Sequence, residues 1–375
     1  DGAFDHGQPI PCQCFETGLK WPYVWTRDLS YAIDLGLWRF DPARSRNGLR
    51  FKLSGVRVAS APQGLYPMQD TGSGGSWPVS TDRVVWFLGA RHLLDDQAFA
   101  DDVYRALGAT LAQDRQYAFD AGFGLYRGET SFLDWREQSY PAWTADEVTF
   151  IAQSYALSTN VLHYQALQLA ASLADTHHDA NAAASYRADA AALKAAINAH
   201  FWRAERGMYM SYLGGDGTPN DSYDLLGIAL AIDSGVAGGE RAKQTLANYP
   251  TWPAGSPVIW PERADQPIYH NRAIWPFVSA YALRAARITE QPARDRVGAA
   301  RRRVVRLQHG ELRAAHPGPA RGRRPAQRPG GEFATPAVVG GGRAGGGDRG
   351  RVRPERGRQR AAETADRAGA DAVRP

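Results

Sequence analysis

The chain has 375 residues, of which 43% are apolar and 22% charged, a balance typical of soluble globular proteins. That length allows one large domain or two ordinary ones, and no run of about 18 apolar residues is present, which excludes a helical membrane span. The 11 Trp and 16 Tyr residues are many for this length. Their flat faces and polar edges suit both aromatic cores and sugar-binding clefts.

Charge divides the chain near residue 292. Residues 293–375 hold 20 Arg, no Lys and 8 acidic residues, a net charge of +12, whereas residues 1–292 carry −7. This tail has a single aromatic residue, Phe333, and too little apolar content to offset the loss of chain entropy on folding. Three interpretations stay open: an arginine-rich arm that binds nucleic acid, a solvated linker, and out-of-frame translation, which we favour. We therefore predict one catalytic domain over residues 1–292 and a low-complexity tail over residues 293–375.

Residues 1–292 are predicted to form eight or nine helices with little strand. In "TRDLSYAIDLGLWRF", apolar Leu29, Ile33, Leu37 and Phe40 recur about once per helical turn. The helices predicted after it are, in order, "TDRVVWFLGARHLL" with Thr81 as N-cap, "ADDVYRALGATLAQDRQYAF", "EVTFIAQSYALSTNVLHYQALQLAASLA" as one helix or two, "AAASYRADAAALKAAINAHFW", "SYDLLGIALAIDSG" ended by Gly235, "ERAKQTLANYP" and "NRAIWPFVSAYALRAARI". "GMYMSYLGGDG" is predicted to form a hairpin. Aromatic helices alternate with alanine-rich amphipathic ones, which predicts two concentric layers.

The first segment that could carry chemistry is "WPYVWTRDLSYA", where Arg27 and Asp28 begin a helix beside Trp25. An acidic residue at a helix N-terminus is favourable in itself. The same three residues also suit sugar recognition, because guanidinium donates, carboxylate accepts from hydroxyls, and indole covers an apolar sugar face.

The second segment is "RGETSFLDWREQSYPAW", which presents Glu129, Asp134 and Glu137 among aromatic side chains. Glycoside hydrolysis needs one protonated carboxyl group and a second carboxylate. Apolar neighbours such as Trp135 can keep a carboxyl group protonated near neutral pH. The alternative is a structural pair between Arg136 and Glu137, and the residues alone do not decide between them.

The third segment is "GSPVIWPERADQPIYHNRAIWPF", which combines Glu262, His270 and Arg272 with aromatic residues including Trp275. A loop so rich in aromatic and hydrogen-bonding groups before a helix is typical of a site wall. A single histidine in such a loop is more often structural than catalytic. The two cysteines, Cys12 and Cys14, are predicted to be free thiols, and the sequence predicts neither a metal nor an organic cofactor.

Together these segments resemble the six-hairpin, (α/α)6-barrel glycosidases, which include glucoamylases, trehalases, processing α-glucosidases and glycogen-debranching-like enzymes. "YVWTRDLSYA" resembles a glucoamylase-type segment, which implies that Arg27 and Asp28 hold the terminal sugar with Trp25. "FLDWREQ" resembles the general-acid segment. A trehalase-like alignment makes Asp134 the acid, which we prefer, and a glucoamylase-like alignment makes Glu137 a candidate.

The resemblance also implies substrate contacts by Trp135 and Arg136, and by His270, Arg272 and Trp275 of "YHNRAIWPF". It implies an all-α (α/α)6 toroid that is incomplete at its C-terminal end, because fewer helices than a full barrel needs precede the tail. In these families the catalytic base lies late in the chain, so Glu262 is the best upstream candidate for it.

The expected function is hydrolysis of an O-glycosidic bond, α-linked and at a non-reducing end, by an inverting acid/base mechanism. The expected partner is an oligosaccharide or glycoside, with no nucleic acid and no membrane. A soluble protein of the cytoplasm or periplasm is expected, whereas the compartment and the oligomeric state are not fixed. Two alternatives remain: a carbohydrate-binding relative that does not cleave, and a nucleic-acid-associated protein that uses the arginine-rich tail.

Overall fold

The structure is a computed structural model that describes residues 12–18, 23–54, 64–68, 79–132, 140, 144, 147–263 and 268–291, with the backbone of residues 4–5 and 8–9. All of these residues belong to one structural unit. The arginine-rich tail predicted for residues 293–375 lies outside the described residues, so the boundary near residue 292 stays a prediction.

Helices dominate the described part of the chain. They are α1 (Thr26–Ala32), a π-helical segment (Ile33–Leu37), α2 (Trp38–Phe40), α3 (Pro42–Phe51), α4 (Asp82–Ala90), α5 (Gln97–Tyr117), α6 (Val148–Gln153), α7 (Leu157–Thr176), α8 (Ala180–His200), α9 (Leu225–Asp233), α10 (Gly239–Asn248) and α11 (Pro276–Ile288). None of the helices in this part of the chain has the length and apolar character needed to cross a bilayer.

The strands are antiparallel pairs of two residues each; β1 and β2 precede the first helix, and the others lie in the connections between helices. They are β1 (Phe4–Asp5) with β2 (Gln8–Pro9), β3 (Leu53–Ser54) with β4 (Tyr66–Pro67), β5 (Phe119–Asp120) with β6 (Leu125–Tyr126), β7 (Tyr155–Ala156) with β10 (Tyr212–Leu213), β8 (Trp202–Arg203) with β9 (Met208–Tyr209), and β11 (Tyr223–Asp224) with β12 (Ile259–Trp260). Strands this short cannot form a core, so the fold is held together by helix packing.

The helices form an inner and an outer layer, as the sequence predicted. Every residue of α4 is buried, and so are eight of the nine residues of α9, whereas only four of the 21 residues of α8 are buried. The inner helices contact one another in the order α1, α4, α7, α9 and α11, and α11 contacts the π-helical segment that follows α1. The amphipathic helices α3, α5, α8 and α10 pack outside them. The prediction of an all-α, two-layer architecture is confirmed.

The first predicted helix keeps its apolar periodicity only as far as the π-helical segment. Leu29 and Ile33 are buried, but the Phe40 side chain is 87% exposed. Gly36 has φ = 127° inside the π-helical segment, so the chain departs there from regular helical phase. The prediction that Phe40 continues the apolar face is therefore wrong.

Two other sequence predictions are refined by strand pairing. The long apolar stretch after residue 147 forms two helices, α6 and α7, because β7 interrupts it and pairs with β10. Within "GMYMSYLGGDG", the Gly-Asp-Gly turn is present, with Gly217 at φ = 82° and a bridge between Leu213 and Pro219. The first strand of that stretch, β9, pairs with the preceding strand β8 and not with β10, so the stretch is not a simple hairpin.

A buried carboxylate, Asp34, ties the C-terminal ends of the inner helices together. Four side chains donate to its two oxygens at 2.6–2.8 Å: Arg91 and His92 after α4, and Tyr281 and Arg284 of α11. Desolvation alone would raise the pKa of Asp34, but the His92 hydrogen bond, the Arg91 charge and the α11 donors hold it below its usual range. We call these five residues the Asp34 cluster.

A second buried charge network joins α4, α5 and α7. The Nε of Arg83 donates to Asp114 at 2.7 Å, and the Nε2 of His163 lies 2.9 Å from the same carboxylate. All three side chains are fully buried. Both ring nitrogens of His163 face acceptors, since its Nδ1 lies 2.9 Å from the Thr159 carbonyl oxygen. Such a network is costly to break, because any partner left alone is a buried, unpaired charge.

The segment of residues 12–18 crosses the start of α1. Cys12 and Cys14 are joined by a disulfide with their Cα atoms 5.3 Å apart, so the prediction of free thiols is wrong. That Cα separation lies within the range a disulfide can bridge. The segment is also fixed by the Thr17 N–H, which donates to the Tyr23 carbonyl at 2.8 Å, and by Arg44, whose guanidinium lies 5.1 Å from the Phe15 ring centre.

Candidate active site

The N-terminal ends of α1, α4 and α7 meet at one end of the inner layer. Arg27 of α1 donates through Nη1 to both carboxylate oxygens of Asp82, the first residue of α4, at 2.9 and 3.0 Å. The Thr159 hydroxyl of α7 donates at 3.1 Å to Thr81, which precedes α4. Sequence-distant residues therefore converge here, at the opposite end of the inner helices from the Asp34 cluster.

The loop that follows β6 connects this end of the molecule to α11. Ser131 accepts a hydrogen bond from Tyr31 of α1 at 2.8 Å, and its N–H donates to Ser158 of α7 at 3.0 Å. The next residue, Phe132, packs edge-on against Phe277 of α11 with ring centres 4.6 Å apart. Four inner elements thus surround one region.

A cavity of about 280 Å³ opens in that region. It is lined by Phe15, Glu16, Thr17, Arg27, Asp28, Leu29, Tyr31, Ala32, Leu37, Phe132 and Phe277. Aromatic walls with a few charged groups are typical of ligand sites, and this volume is at the small end of their range. The cavity therefore suits a small polar ligand with apolar faces.

Asp28 presents its carboxyl group to this cavity. Its side chain is exposed, but the surface that it exposes lines the cavity. Desolvation by the surrounding protein raises the pKa of Asp28; the charge of Arg27 opposes that rise and the charge of Asp82 adds to it. A carboxyl group of this kind can accept from hydroxyls when ionised and can donate when protonated.

Arg27, predicted to hold a sugar, is also part of the wall. Its side chain is 13% exposed and that of Asp82 only 1%, so their ion pair is largely shielded from water. A guanidinium has five N–H donors in a rigid fork. The pairing with Asp82 fixes where that fork points.

Asp82 did not stand out in the sequence, although a signal was present. The segments "TRD" at residues 26–28 and "TDR" at residues 81–83 each begin an inner helix with threonine and an Arg/Asp pair. Reading the two segments together would have pointed to Asp82, since an acid at the first turn of one helix can pair with a base at the first turn of its neighbour.

A further buried carboxyl group that sequence reasoning missed is Asp224, the N-cap of α9. It is 2% exposed, and it accepts from the Gly227 N–H and from the Ser211 hydroxyl. Burial raises the pKa of Asp224 to about 6 despite these hydrogen bonds. Its charge acts on the Tyr31 hydroxyl of the cavity wall, whose pKa is raised mainly by desolvation and further by Asp224. Asp224 therefore lies close enough to the cavity to influence it.

His270 is buried behind the aromatic wall. It is 5% exposed, and its Nδ1 has no hydrogen-bond partner in the described part of the chain. Its ring contacts Phe132 and Trp275, with centres 5.2 and 5.5 Å away. Desolvation, aided by the charge of Arg27, lowers the pKa of His270 to about 3, so the ring is neutral at physiological pH.

The remaining predicted residues divide into two groups. Trp25 immediately precedes α1 and stacks on Tyr23 with ring centres 6.0 Å apart. Glu262 and Arg272 form a half-exposed ion pair at 3.1 Å, and neither lines the cavity. Trp25 thus stands beside the cavity residues of α1, whereas Glu262 and Arg272 engage each other.

Four predicted residues, Asp134, Trp135, Arg136 and Glu137, lie outside the described residues. Their roles stay predictions. The described residues on either side are well anchored: Phe132 lines the cavity, and the buried Tyr140 accepts a hydrogen bond from the Thr130 N–H at 3.0 Å.

No group of three or more His, Cys, Asp or Glu side chains among the described residues is arranged to hold a metal ion. Asp82, Asp224 and Asp34 instead accept hydrogen bonds from arginine, serine and tyrosine side chains respectively.

Comparison with protein families identifies the fold. The model of the bacterial alpha-L-rhamnosidase six-hairpin glycosidase domain matches residues 51–246, more than half of the chain. The chain belongs to this six-hairpin glycosidase family. The matched residues include Asp82 and Asp224 but not Arg27, Asp28 or His270. A comparison with curated proteins gave no match.

Several solved structures are similar to this chain. The GH63 mannosylglycerate hydrolase of Thermus thermophilus is 16% identical, with 76% of this chain and 86% of that chain covered and a TM-score of 0.57. A GH78 rhamnosidase of a Bacillus species is 21% identical, with 63% and 22% covered and a TM-score of 0.44. The neutral trehalase of Saccharomyces cerevisiae is 13% identical, with 70% and 61% covered and a TM-score of 0.47. The chain thus spans about a fifth of the length of the Bacillus enzyme, and the (α/α)6 six-hairpin fold predicted from sequence is confirmed.

Proposed function

We propose that this six-hairpin glycosidase domain hydrolyses an α-linked O-glycosidic bond at a non-reducing end. The family description makes terminal α-L-rhamnosides the first substrates to test. The mechanism proposed is inverting, in which the acid and the base lie far enough apart to hold a water molecule between them.

The observation that carries this proposal is the cavity at the N-terminal ends of the inner helices. It combines an aromatic wall with Asp28, whose pKa is raised, and with an arginine oriented by a buried acid. Sugars present hydroxyl groups at their edges and C–H groups on their faces, so they need both kinds of wall. The small volume favours a single terminal sugar over an internal stretch of a polysaccharide.

In the proposed mechanism, Arg27 and Asp28 bind hydroxyl groups of the terminal sugar, with Trp25 beside them. Neutral His270 is available behind the wall as a hydrogen-bonding group. Asp134 donates a proton to the leaving oxygen, and Glu137 is the alternative acid. Glu262, or a residue outside the described part of the chain, activates the attacking water. Trp135, Arg136, Arg272 and Trp275 are proposed as further substrate contacts.

The test is turnover of aryl α-L-rhamnosides and aryl α-glucosides by the full chain. Asp134→Asn should lower kcat by about 1000-fold or more, because loss of a general acid typically costs two to four orders of magnitude, while sugar affinity stays near wild type. The matched control is Asp95→Asn, an acid whose side chain is 77% exposed and distant from the cavity residues in sequence, which should keep full activity.

Three results would overturn parts of this proposal. Full activity of Asp134→Asn would contradict the choice of acid. Retention of the anomeric configuration in the first-formed product, followed by NMR, would contradict the inverting course. Sugar binding without turnover of any glycoside would instead indicate a carbohydrate-binding relative.

A further inference from the structure

A second carboxylate lines the cavity beside Asp28. It is Glu16, in the middle of the segment of residues 12–18. Its side chain is exposed, and its neighbours Phe15 and Thr17 also line the cavity. Among the described residues that line the cavity, Glu16 and Asp28 are the only acids and Arg27 is the only base. No sequence signal distinguished Glu16, because it lies outside the three chemically rich segments.

The segment that carries Glu16 is fixed on both sides of it. Before Glu16, Cys12 and Cys14 are joined, and the Arg44 guanidinium of α3 covers the ring of Phe15 at 5.1 Å. After Glu16, the Thr17 N–H donates to the Tyr23 carbonyl at 2.8 Å. Glu16 is therefore held on the cavity wall by its neighbours, which lowers the entropy that would be lost when it orders around a ligand.

Glu16 forms no ion pair or hydrogen bond with another side chain among the described residues, unlike Asp82 and Asp224, which are partnered by Arg27 and Ser211. The nearest base in the cavity, Arg27, has its Nη1 directed to Asp82. An exposed glutamate is commonly no more than a solvated side chain. Here, however, it stands on the wall of a cavity whose arginine is already oriented by Asp82, and it offers two oxygens that accept and never donate when ionised.

We propose that Glu16 is a sugar-binding residue whose carboxylate accepts hydrogen bonds from hydroxyl groups of the terminal sugar in this cavity. The inference rests on the proposed function, since it assigns a sugar-contacting role within the same site. Two adjacent hydroxyls of a sugar ring can donate to the two oxygens of one carboxylate, so Glu16 would select sugars with that hydroxyl pattern. Phe15 and Phe277 would then cover the apolar faces of the ring.

A sugar-binding role for Glu16 can be distinguished from a role as the catalytic base by its effects on KM and kcat. Hydrogen bonds that form equally in the ground state and the transition state raise affinity without changing kcat. Loss of the Glu16 charge should therefore raise KM about tenfold and leave kcat within about twofold, because a hydrogen bond to a charged group contributes more than a neutral one. Loss of a base would instead lower kcat by about 100-fold or more.

The experiment measures binding and turnover for the full chain and three variants: Glu16→Gln, Glu16→Asp and the control Gln13→Ala. Gln13 is an exposed residue of the same segment that does not line the cavity. Calorimetric titration with L-rhamnose and D-glucose gives Kd, and aryl glycosides give kcat and KM. We expect about tenfold weaker binding for Glu16→Gln, an intermediate Kd for Glu16→Asp, and wild-type values for Gln13→Ala.

Each outcome decides the proposal. A Kd for Glu16→Gln within twofold of wild type overturns it, and so does a collapse of kcat that azide restores, which would make Glu16 the base. If wild type binds a sugar but hydrolyses nothing, the proposed function fails while the Kd series still tests Glu16. If wild type binds neither sugar, the sugar-binding role of Glu16 falls as well.

Discussion

The pKa values of acidic side chains shift in opposite directions at the two ends of the inner helices. At the C-terminal end, Asp34 is buried and receives four donors, so its pKa falls below the usual range even though desolvation acts against it. At the N-terminal end, desolvation prevails, and it raises the pKa of Asp28 and of Asp224. Burial alone therefore does not distinguish a structural acid from a functional one. The difference lies in how completely its charge is compensated.

Under the proposed function, this contrast separates residues that stabilise the fold at one end from residues that take part in chemistry at the other. A fully compensated carboxylate holds helices together but has no spare lone pair or proton for a substrate. An incompletely compensated one costs stability and gains reactivity, which is why perturbed acids gather in active sites. Substitutions at the two ends should therefore affect different observables.

The largest effect is expected at the Asp34 cluster. Asp34→Asn removes the buried charge that pairs with Arg91 and Arg284, and Arg284 keeps only its ion pair with Asp233 at 3.3 Å. The free energy of unfolding should therefore fall by about 3 kcal/mol. Urea unfolding at pH 7 measures this. Because the pKa of Asp34 is lowered on folding, its stabilisation is present above the ordinary aspartate pKa and is lost as the pH falls through the folded value. A loss below about 1 kcal/mol would show that the cluster does not hold the helices together.

The next effect concerns activity. Asp28→Asn should lower kcat/KM for the best aryl glycoside by about 100-fold, or about 2.7 kcal/mol, because the substitution removes the negative charge and replaces one acceptor oxygen with an NH2 donor. Its free energy of unfolding at pH 7 should not fall, because a carboxyl group whose pKa is raised on folding does not stabilise the fold when it is ionised. If Asp28→Asn were destabilised but fully active, Asp28 would be a structural residue, and the assignment of chemistry to this end would be contradicted.

Asp224 gives a smaller effect with a characteristic pH dependence. Its folded pKa of about 6 exceeds the ordinary value of 3.8, so the folded state binds more protons between them. The contribution of Asp224 to stability is thus largest at low pH and is lost as the pH rises towards 6. Asp224→Asn keeps an N-cap, so the stability difference between variant and wild type should shift by about 2 kcal/mol in favour of the variant between pH 4 and pH 7. A difference that is flat with pH would contradict a raised pKa.

The smallest effect comes from removing one donor of the Asp34 cluster. Tyr281→Phe deletes the hydroxyl that donates to Asp34 at 2.6 Å and leaves the ring in place. The free energy of unfolding should fall by about 1 kcal/mol, the usual net value of one hydrogen bond, with kcat/KM unchanged. A change in kcat/KM without a change in the free energy of unfolding would show that the Tyr281 hydroxyl affects the cavity through α11 and does not stabilise the fold.

Local sequence patterns predicted the helices well but not their exceptions. The layers followed from the contrast between aromatic and alanine-rich stretches, because periodicity depends only on neighbouring residues. Phe40 departed from the pattern because the π-helical segment around Gly36 shifts the helical phase. The split into α6 and α7 depended on β10, which pairs from more than 50 residues away.

The site was predicted in part for the same reason. Arg27 and Asp28 stood out because they are adjacent in sequence beside an aromatic residue. Asp34 was missed because its partner Tyr281 lies 247 residues away, and a single acid in a helix carries no local signal. Asp224 was missed because its position as the N-cap of α9 is enough to explain an aspartate there. Glu16 was missed because only the folded chain shows that it lines the cavity.

The most direct measurement is the position of a bound sugar. Crystals of the full chain soaked with the best monosaccharide should show it in the cavity, within hydrogen-bond distance of Arg27 or Asp28 and in contact with Phe132 or Phe277. A sugar bound elsewhere, with the cavity empty at saturating concentration, would contradict the assignment of this end of the inner helices to chemistry.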